Sequence, residues 1–225
     1  MIRLAVFDMD GTLVDTKSSW AHVHQHFGEE NTEALQLFLA DRIDDVEFIR
    51  RDIQLWWKHD PALTVFELER ILSTVPLMPG APELFAGLKD RGIATAIVSG
   101  GIDLLARRLG RELGIGYVLA NGVVVDANGR LTGEGRVRVP IKQKEAVLEQ
   151  VQRQLGVDVA ATASVGNSDI DVGLFRRSRI GVAFQPEDEV VQRHATHVVR
   201  ERDLRRVLDA IDADRSSVTP ARQGF

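Results

Sequence analysis

The sequence predicts an α/β fold with a mainly parallel sheet and a helical insertion in its first third. Short apolar segments that favour β structure alternate with segments in which leucine or valine recurs every four residues. Between residues 16 and 78 this alternation stops, and only helical patterns are found. The 225 residues are 44% hydrophobic, which suits one α/β domain with a sizeable insertion, or two small domains.

Five apolar segments are predicted to be strands, at residues 2–7, 93–98, 163–165, 180–184 and 197–199. Helical patterns flank the second strand and precede the third, with apolar positions at Leu84, Leu88, Leu105, Leu109, Leu113, Val147, Val151 and Leu155. This alternation is typical of right-handed βαβ units, in which ligands bind beyond the carboxyl ends of the strands. Asp8, Ser99 and Gly166-Asn167 follow such ends, so we expect three loops to converge on one crevice.

The insertion at residues 16–78 contains most of the aromatic side chains, which predicts a helical cap domain with its own small core. These aromatics are Trp20, Phe27, Phe38, Phe48, Trp56, Trp57 and Phe66. The segment Met78-Pro79-Gly80-Ala81-Pro82 marks the return to the sheet domain. The predicted core domain therefore consists of residues 1–15 and 79–212.

Two further segments depart from the alternation of strands and helices. Residues 123–125 and 130–139 are predicted to pair as a hairpin around the Asn128-Gly129 turn. From Ala213 onward the chain is small and polar, so residues 213–225 are predicted to form a disordered tail.

The composition argues against several classes of function. The net charge of −5 and the pI near 5.7 argue weakly against a nucleic-acid-binding protein, which usually has a basic face. The absence of cysteine excludes disulfides and thiolate chemistry, and no apolar run approaches the ~20 residues of a membrane helix. We expect a cytoplasmic protein with no signal peptide, no nucleic-acid partner and no membrane partner.

The segment Asp8-Met9-Asp10-Gly11-Thr12 carries the strongest chemical signal in the sequence. Asp8 and Asp10 leave an extended strand end on the same face, where their charges repel unless a cation lies between them. Gly11 permits a tight turn whose amides can face an anion. The pattern indicates metal-dependent phosphoryl transfer, with Asp8 as nucleophile and Asp10 as general acid and base. The alternative is an acidic turn that merely ends a strand.

Three later segments supply groups that suit the same chemistry. Ser99-Gly100-Gly101 offers a hydroxyl and free amides for phosphate, although Ser99 could simply be a helix N-cap. Either Lys142 or Lys144 could neutralise a transferring phosphoryl group. The segment at residues 166–171 offers oxygen ligands that suit Mg²⁺, although it could also be a turn that caps a helix.

Taken in order, these segments resemble the four sequence motifs of the haloacid dehalogenase (HAD) superfamily of phosphohydrolases. Asp8 and Asp10 match the first motif, Ser99 the second, Lys144 the third and residues 166–171 the fourth. The resemblance covers residues 2–184 and implies a Rossmannoid three-layer fold with a C1-type helical cap. Within the superfamily the chain is most similar to phosphoserine phosphatases, through residues 98–103, 120–121, 131–133 and 202–204.

Two positions depart from the pattern of phosphoserine phosphatases. Asn167 stands where the fourth motif usually has the aspartate that binds Mg²⁺, which predicts weaker metal affinity. Lys17 stands where those enzymes have a glutamate that pairs with the substrate's ammonium group, which favours a more anionic substrate. Arg50, with Arg51 as the near alternative, matches the arginine that binds the substrate carboxylate.

The resemblance implies a Mg²⁺-dependent phosphomonoester hydrolase that acts on a small phosphorylated metabolite through an aspartyl-phosphate. Its implied metal ligands are Asp8, Asp10 through its backbone carbonyl, Asn167 and Asp171, and its implied phosphate-binding groups are Thr12, Ser99, Gly100 and Lys144. Lys17 and Arg50 are the implied substrate-binding residues. A phosphotransferase to an alcohol and a non-catalytic domain that binds a phosphorylated ligand are the alternatives. The sequence determines neither the substrate nor the oligomeric state.

Overall fold

The computed structural model describes residues 1–217, which form a sheet with helices on both faces and a helical insertion. The strands are β1 Leu4–Phe7, β2 Ala94–Ile102, β3 Tyr117–Val125, β4 Leu131–Arg136, β5 Thr162–Gly166, β6 Ile180–Phe184 and β7 His197–Val199. The helices are α1 Ser19–His26, α2 Thr32–Leu39, α3 Asp45–His59, α4 Val65–Leu72, α5 Ala81–Asp90, α6 Asp103–Leu113, α7 Lys144–Leu155, α8 Val172–Arg176, α9 Glu189–His194 and α10 Arg205–Ser217.

The seven strands form one sheet in the order β4-β3-β2-β1-β5-β6-β7. All neighbouring pairs are parallel except β3 and β4, which form the predicted antiparallel hairpin. Phe7 at the end of β1 lies opposite Ile97 of β2 and Val165 of β5. The carboxyl ends of these three neighbouring strands therefore lie side by side at one end of the sheet. The candidate motifs were expected to converge there.

The central strand β1 explains why the fold has three layers. All four of its side chains are fully buried, and they alternate between the two faces of the sheet. Ala5 and Phe7 pack with the apolar residues of α5, α6 and α10, whereas Leu4 and Val6 pack with those of α7, α8 and α9. A strand covered on both faces is apolar throughout, as the sequence shows. The predicted α/β class is thereby confirmed.

The insertion between β1 and β2 contains α1 to α4 and no strand, as predicted. Its core is not separate, however: Trp20, Ile53 and Trp56 belong to the same buried apolar cluster as Phe7 of the sheet. Helix α3 packs against β4, where a Cβ atom at Gly135 would overlap the side chain of Ile49. The β3–β4 hairpin thus packs against helix α3 of the cap. The exact domain boundaries stay a prediction.

The C-terminal segment differs from the sequence-based prediction. Helix α10 continues to Ser217, so the predicted tail does not begin at Ala213. The remainder of that predicted tail, residues 218–225, lies outside the described residues. Within residues 1–217, no helix is both long enough and apolar enough to cross a membrane.

Candidate active site

A cavity of about 580 Å³ lies between the carboxyl edge of the sheet and the cap. On the side of the sheet it is lined by residues from the predicted motifs, namely Asp8, Asp10, Ser99, Gly100, Gly101, Lys144, Asn167, Ser168 and Asp169. On the opposite side it is lined by residues of α1, α2 and α3. Its size is within the range of small-molecule sites, and four segments that are far apart in sequence meet in it.

Asp8 is paired with Lys144 at the floor of this cavity. The Lys144 Nζ atom lies 2.8 Å from Asp8 Oδ1 and 2.8 Å from Asp171 Oδ1, and all three side chains are buried. Burial raises the pKa of Asp8 above its usual value, and the nearby charge of Lys144 opposes this effect. Burial would lower the pKa of Lys144, but Asp171 and Asp8 outweigh it and hold that pKa above its usual value. The lysine therefore stays charged beside the proposed nucleophile.

The carboxylate of Asp171 accepts hydrogen bonds from this lysine and from the loop after β5, and it does not face the cavity. While its Oδ1 accepts from Lys144, its Oδ2 accepts from the backbone N–H groups of Asn167, at 2.9 Å, and Ser168, at 3.2 Å. Asp171 is completely buried and is absent from the cavity lining. Both of its oxygens are thus already satisfied, so the structure contradicts the prediction that Asp171 ligates a metal.

Asp10 has one satisfied oxygen and one that is buried without a partner. Its Oδ2 accepts from the backbone N–H and the hydroxyl of Ser19, both at 2.8 Å, and the same hydroxyl accepts from the N–H of Ile102 at 2.9 Å. Its Oδ1 is buried with no hydrogen bond. Burial raises the pKa of Asp10 to about 7, and the charge of Asp8 adds to that rise. A carboxyl group with a pKa near neutrality can both donate and accept a proton.

Asn167 lies against the turn after β1. Gly11 has a φ of +73°, and a Cβ atom there would overlap the side-chain amide of Asn167, so this position requires glycine on both counts. The hydroxyl of Thr12 donates to Asn167 Oδ1 at 3.4 Å. Thr12 is fully buried and does not line the cavity, so its side chain positions Asn167 and is not placed to bind phosphate. The structure therefore gives no support to a phosphate-binding role for the Thr12 side chain, and that role stays a prediction.

Ser99 and Gly100 lie at the cavity wall within the last part of β2. The hydroxyl oxygen of Ser99 accepts from the N–H of Gly101 at 3.1 Å, which leaves its proton free to donate to a ligand. Helix α6 begins at Asp103 and its N-cap is Ile102, so the alternative in which Ser99 is an N-cap is excluded. The Gly100 carbonyl accepts from the indole N–H of Trp20 at 3.0 Å, which joins this loop to the cap.

A model of the haloacid dehalogenase-like hydrolase family matches residues 5–176 of the chain. The chain belongs to this family. Phosphoserine phosphatase of Wolinella succinogenes is 30% identical over 92% of this chain and 98% of that protein. That of Methanocaldococcus jannaschii is 27% identical over 93% and 97%. That of Archaeoglobus fulgidus is 32% identical over 83% of this chain, which spans only 53% of that relative.

Solved structures show the same relationship. A phospho-aspartyl intermediate analogue of phosphoserine phosphatase superposes with a TM-score of 0.78 at 25% identity, over 92% of this chain and 98% of that one. An apo form of phosphoserine phosphatase gives 0.79 at 25% identity, over 93% and 98%. These findings confirm the predicted family, the HAD-like fold and the likeness to phosphoserine phosphatases.

The two candidate lysines of this HAD-like chain have different partners. Lys144 reaches Asp8, whereas Lys142 reaches the cap, where its Nζ atom donates to the Phe38 carbonyl at 2.7 Å and to Asp41 at 2.6 Å. The same ammonium group lies 4.7 Å from the centre of the Phe38 ring. Lys144 is therefore the lysine placed at the chemistry, and Lys142 links the core to the end of α2.

The two predicted substrate-binding residues lie in different places. Lys17 is exposed, lines the cavity and has no partner among residues 1–217. Arg50 does not line the cavity; its guanidinium pairs with Glu134 of β4 at 3.0 Å and with Glu47 at 2.9 Å. Arg51 also pairs with Glu47, at 2.8 Å. Neither Arg50 nor Arg51 lines the cavity, so the structure gives no support to a substrate-binding role for either residue, and that role stays a prediction.

A buried polar cluster in the cap wall was missed by the sequence-based predictions. Asp52 of α3 lines the cavity with His24 of α1, and Asn31 contacts the same carboxylate. His24 and Asp52 are 28 positions apart, so no local motif joins them. The one available signal was the apolar context of Asp52, which lies between Ile49, Ile53 and Trp56 on the buried side of the helix.

We expect the metal-free protein to lose stability through Asp10 as the pH rises from about 4 to about 7. The folded state holds this proton more tightly than the unfolded state, in which the pKa is about 3.9, so the folded state binds more protons across this window. The free energy of unfolding therefore falls with rising pH. Chemical unfolding in EDTA should show this slope in the wild type and a smaller one in Asp10→Asn. Two parallel pH profiles would contradict the assignment.

Proposed function

We propose that this HAD-type chain hydrolyses small phosphate monoesters through a covalent phosphate on Asp8. The observation that carries the proposal is the arrangement at the cavity floor, where Asp8 is held by Lys144 at 2.8 Å beside a carboxyl group with a pKa of about 7. A nucleophile and an acid of suitable pKa thus share one cavity. Similarity to phosphoserine phosphatases over nearly the whole chain supports the same chemistry.

In the first step, Asp8 attacks the phosphorus atom and the bond between phosphorus and the alcohol oxygen breaks. Asp10 donates its proton to that oxygen, so the alcohol leaves neutral. In the second step, a water molecule attacks the aspartyl-phosphate, Asp10 takes its proton, and Asp8 and inorganic phosphate are released. Because Lys144 occupies Asp8 Oδ1, the other carboxylate oxygen is the one available for attack.

The phosphoryl oxygens are proposed to contact Lys144, the hydroxyl of Ser99 and the backbone at Gly100, all of which line the cavity. The lysine supplies a fixed positive charge where negative charge accumulates. The cap helices lie over the cavity, so they can exclude water other than the attacking molecule.

The residues present fit a Mg²⁺ ion. The floor of the cavity brings together three carboxyl groups, of Asp8, Asp10 and Asp171, with one ammonium group, that of Lys144, so a cation would balance their charge. Asp8, the backbone carbonyl of Asp10 and the amide oxygen of Asn167 would hold the ion, which leaves the carboxyl group of Asp10 for proton transfer. When bound, Mg²⁺ would neutralise charge on the phosphoryl group. Residues 1–217 contain no cluster of three acidic or histidine side chains that could hold a metal, so the amide of Asn167 is needed to complete the set.

Asn167→Asp should strengthen Mg²⁺ binding by at least about tenfold, because it adds a charged oxygen ligand. Without metal the same substitution should lower the unfolding temperature, since it places another carboxylate near Asp8 and Asp10. Calorimetric titration and thermal unfolding with and without Mg²⁺ measure both effects. Asn128→Asp adds the same charge in the exposed hairpin turn and serves as the control. Equal Mg²⁺ affinity in wild type and Asn167→Asp would argue against a ligand role.

Phosphate release from a panel of monoesters, with Mg²⁺ and with EDTA, tests the proposed function. We expect Mg²⁺-dependent release that is lost in Asp8→Asn. No release from any ester, with phosphate analogues still bound, would overturn the proposal and favour a non-catalytic binding domain. Added alcohol acceptors would reveal a phosphotransferase by the new ester formed.

A further inference from the structure

The cavity wall opposite Asp8 contains a buried carboxylate that the proposed reaction does not use. Asp52 is 2% exposed and lines the cavity from α3. Its Oδ1 accepts from the His24 ring at 2.8 Å and from the Asn31 side-chain amide at 2.5 Å. No residue within the described range 1–217 donates a hydrogen bond to its Oδ2. This second oxygen is therefore available to a ligand in the cavity.

His24 does not neutralise the charge of Asp52. The indole N–H of Trp56 can only donate, and it donates to His24 Nδ1 at 2.7 Å, so Nδ1 carries no proton. The His24 proton must then be on Nε2, which donates to Asp52. The ring is a neutral imidazole in this arrangement, and Asn31 is also neutral. Asp52 is thus a buried carboxylate held by neutral donors, a situation that is costly unless a cation pairs with it.

The charges around the cavity agree with a cationic ligand. The cavity is lined by seven carboxylate residues, which are Asp8, Asp10, Glu29, Glu30, Asp52, Asp169 and Glu187. The described lining includes two lysines and no arginine. Lys144 is already paired with two carboxylates, and Lys17, which also lines the cavity, is exposed to solvent. A ligand carboxylate would therefore find no buried cation in the cap wall.

The remaining wall suits an ammonium group on an alkyl stem. Phe48 lies one helical turn before Asp52 on α3, and both residues line the cavity. Trp20 and Phe38 complete an aromatic wall on α1 and α2. These aromatic side chains provide apolar surface for methylene groups, while the ammonium group of Lys142 already lies over the Phe38 ring. A sugar hydroxyl could donate to Asp52, but it would leave the buried charge uncompensated.

We propose that the substrates are phosphate monoesters of alcohols that carry an ammonium group and no adjacent carboxylate, with the ammonium group bound by Asp52. This inference depends on the proposed function, since it places the phosphoryl group at Asp8 and the amine at the cap wall of the same cavity. It assigns to Asp52 the recognition of the leaving group. Substrate selection then depends on Asp52 of α3, while bond cleavage depends on Asp8 and Asp10 at the carboxyl end of β1.

Matched esters test the inference on the wild-type protein. We expect kcat/KM for 2-aminoethyl phosphate to exceed that for ethyl phosphate by about 10- to 100-fold, the range expected for one charge-assisted hydrogen bond. 2-Aminoethyl phosphate should also exceed O-phosphoserine, which adds a carboxylate to the same skeleton. Equal values for the first pair, or a higher value for phosphoserine or a sugar phosphate, would overturn the inference.

Asp52→Asn removes the charge and keeps the shape of the side chain. We expect the ratio of kcat/KM between 2-aminoethyl phosphate and ethyl phosphate to fall to within about threefold of one. Glu69→Gln removes the same charge from the exposed surface of α4, outside the cavity, and should keep the wild-type ratio. A ratio that is unchanged in Asp52→Asn would contradict the role of Asp52.

The two proposals fail in different ways. Absence of phosphate release from every ester would overturn the proposed function. Release that is fastest for neutral or anionic esters would leave the proposed function standing and overturn the inference. If Asp52→Asn does not fold, the wild-type comparison of the amine and the neutral ester still decides.

Discussion

Asp8→Asn is expected to abolish phosphate release while the fold survives. An amide cannot form the covalent phosphate, so kcat should fall by at least about 10⁴-fold, as for the removal of other catalytic nucleophiles. Stability should change little, because burial already disfavours the charged form of Asp8 and the amide occupies the same space. Circular dichroism, the unfolding temperature and phosphate release measured on the same sample would show whether activity and fold separate.

The control for this experiment is Asp15→Asn. Asp15 lies seven residues along the chain, is exposed and pairs with Arg202. Its loss should leave kcat close to the wild-type value, since surface ion pairs contribute little. Retained turnover in Asp8→Asn would eliminate the covalent mechanism, and unfolding of that variant would assign Asp8 a structural role.

Lys144→Met should have the largest effect on stability. The substitution removes the ammonium group between Asp8 and Asp171 and leaves both carboxylates buried without it. Loss of one partner from a buried ion pair costs roughly 3–5 kcal/mol in the free energy of unfolding. The loss should be smaller at acidic pH, because protonation removes the uncompensated charge. Turnover should also fall, by about 10²- to 10³-fold, with the loss of charge stabilisation.

Lys142→Met is the matched control for Lys144→Met. Lys142 is partly exposed and bonds to backbone carbonyls and to the exposed Asp41, so its loss should cost no more than about 1 kcal/mol. Urea unfolding of both variants at neutral and acidic pH measures the difference. Similar losses in the two variants would show that Lys144 is not the centre of a buried charge network.

The sequence was sufficient for the features that depend on local pattern. The alternation of apolar and helical segments predicts the parallel sheet. The apolar strand that ends at Asp8 and Asp10 predicts that the site lies at the carboxyl ends of the strands. It was not sufficient for Asp171, because a carboxylate after a strand can face either an ion or a neighbouring lysine. Only the packing of α7 shows that Lys144 takes this oxygen.

The cap shows a second limit of the sequence, which concerns the rotation of a helix. Arg50 and Asp52 are two residues apart, so their side chains point about 200° apart around α3. Asp52 lines the cavity with Phe48, whereas Arg50 faces Glu134 on β4. The motif resemblance favoured the arginine, but the orientation of the helix is set by Ile49, Ile53 and Trp56, which are completely buried. Tertiary packing thus decides which charged side chain faces the cavity.

The segment that carries Lys142 and Lys144 contacts both the cap and the proposed nucleophile. One lysine contacts the end of α2 in the cap, and the other contacts Asp8, with a single residue between them. Linkage is reciprocal, so the factor by which a closed cap tightens phosphoryl binding equals the factor by which a bound phosphoryl group favours the closed cap. In the proposed reaction, any opening of the cap would then be coupled to the release of phosphate through this short stretch of backbone.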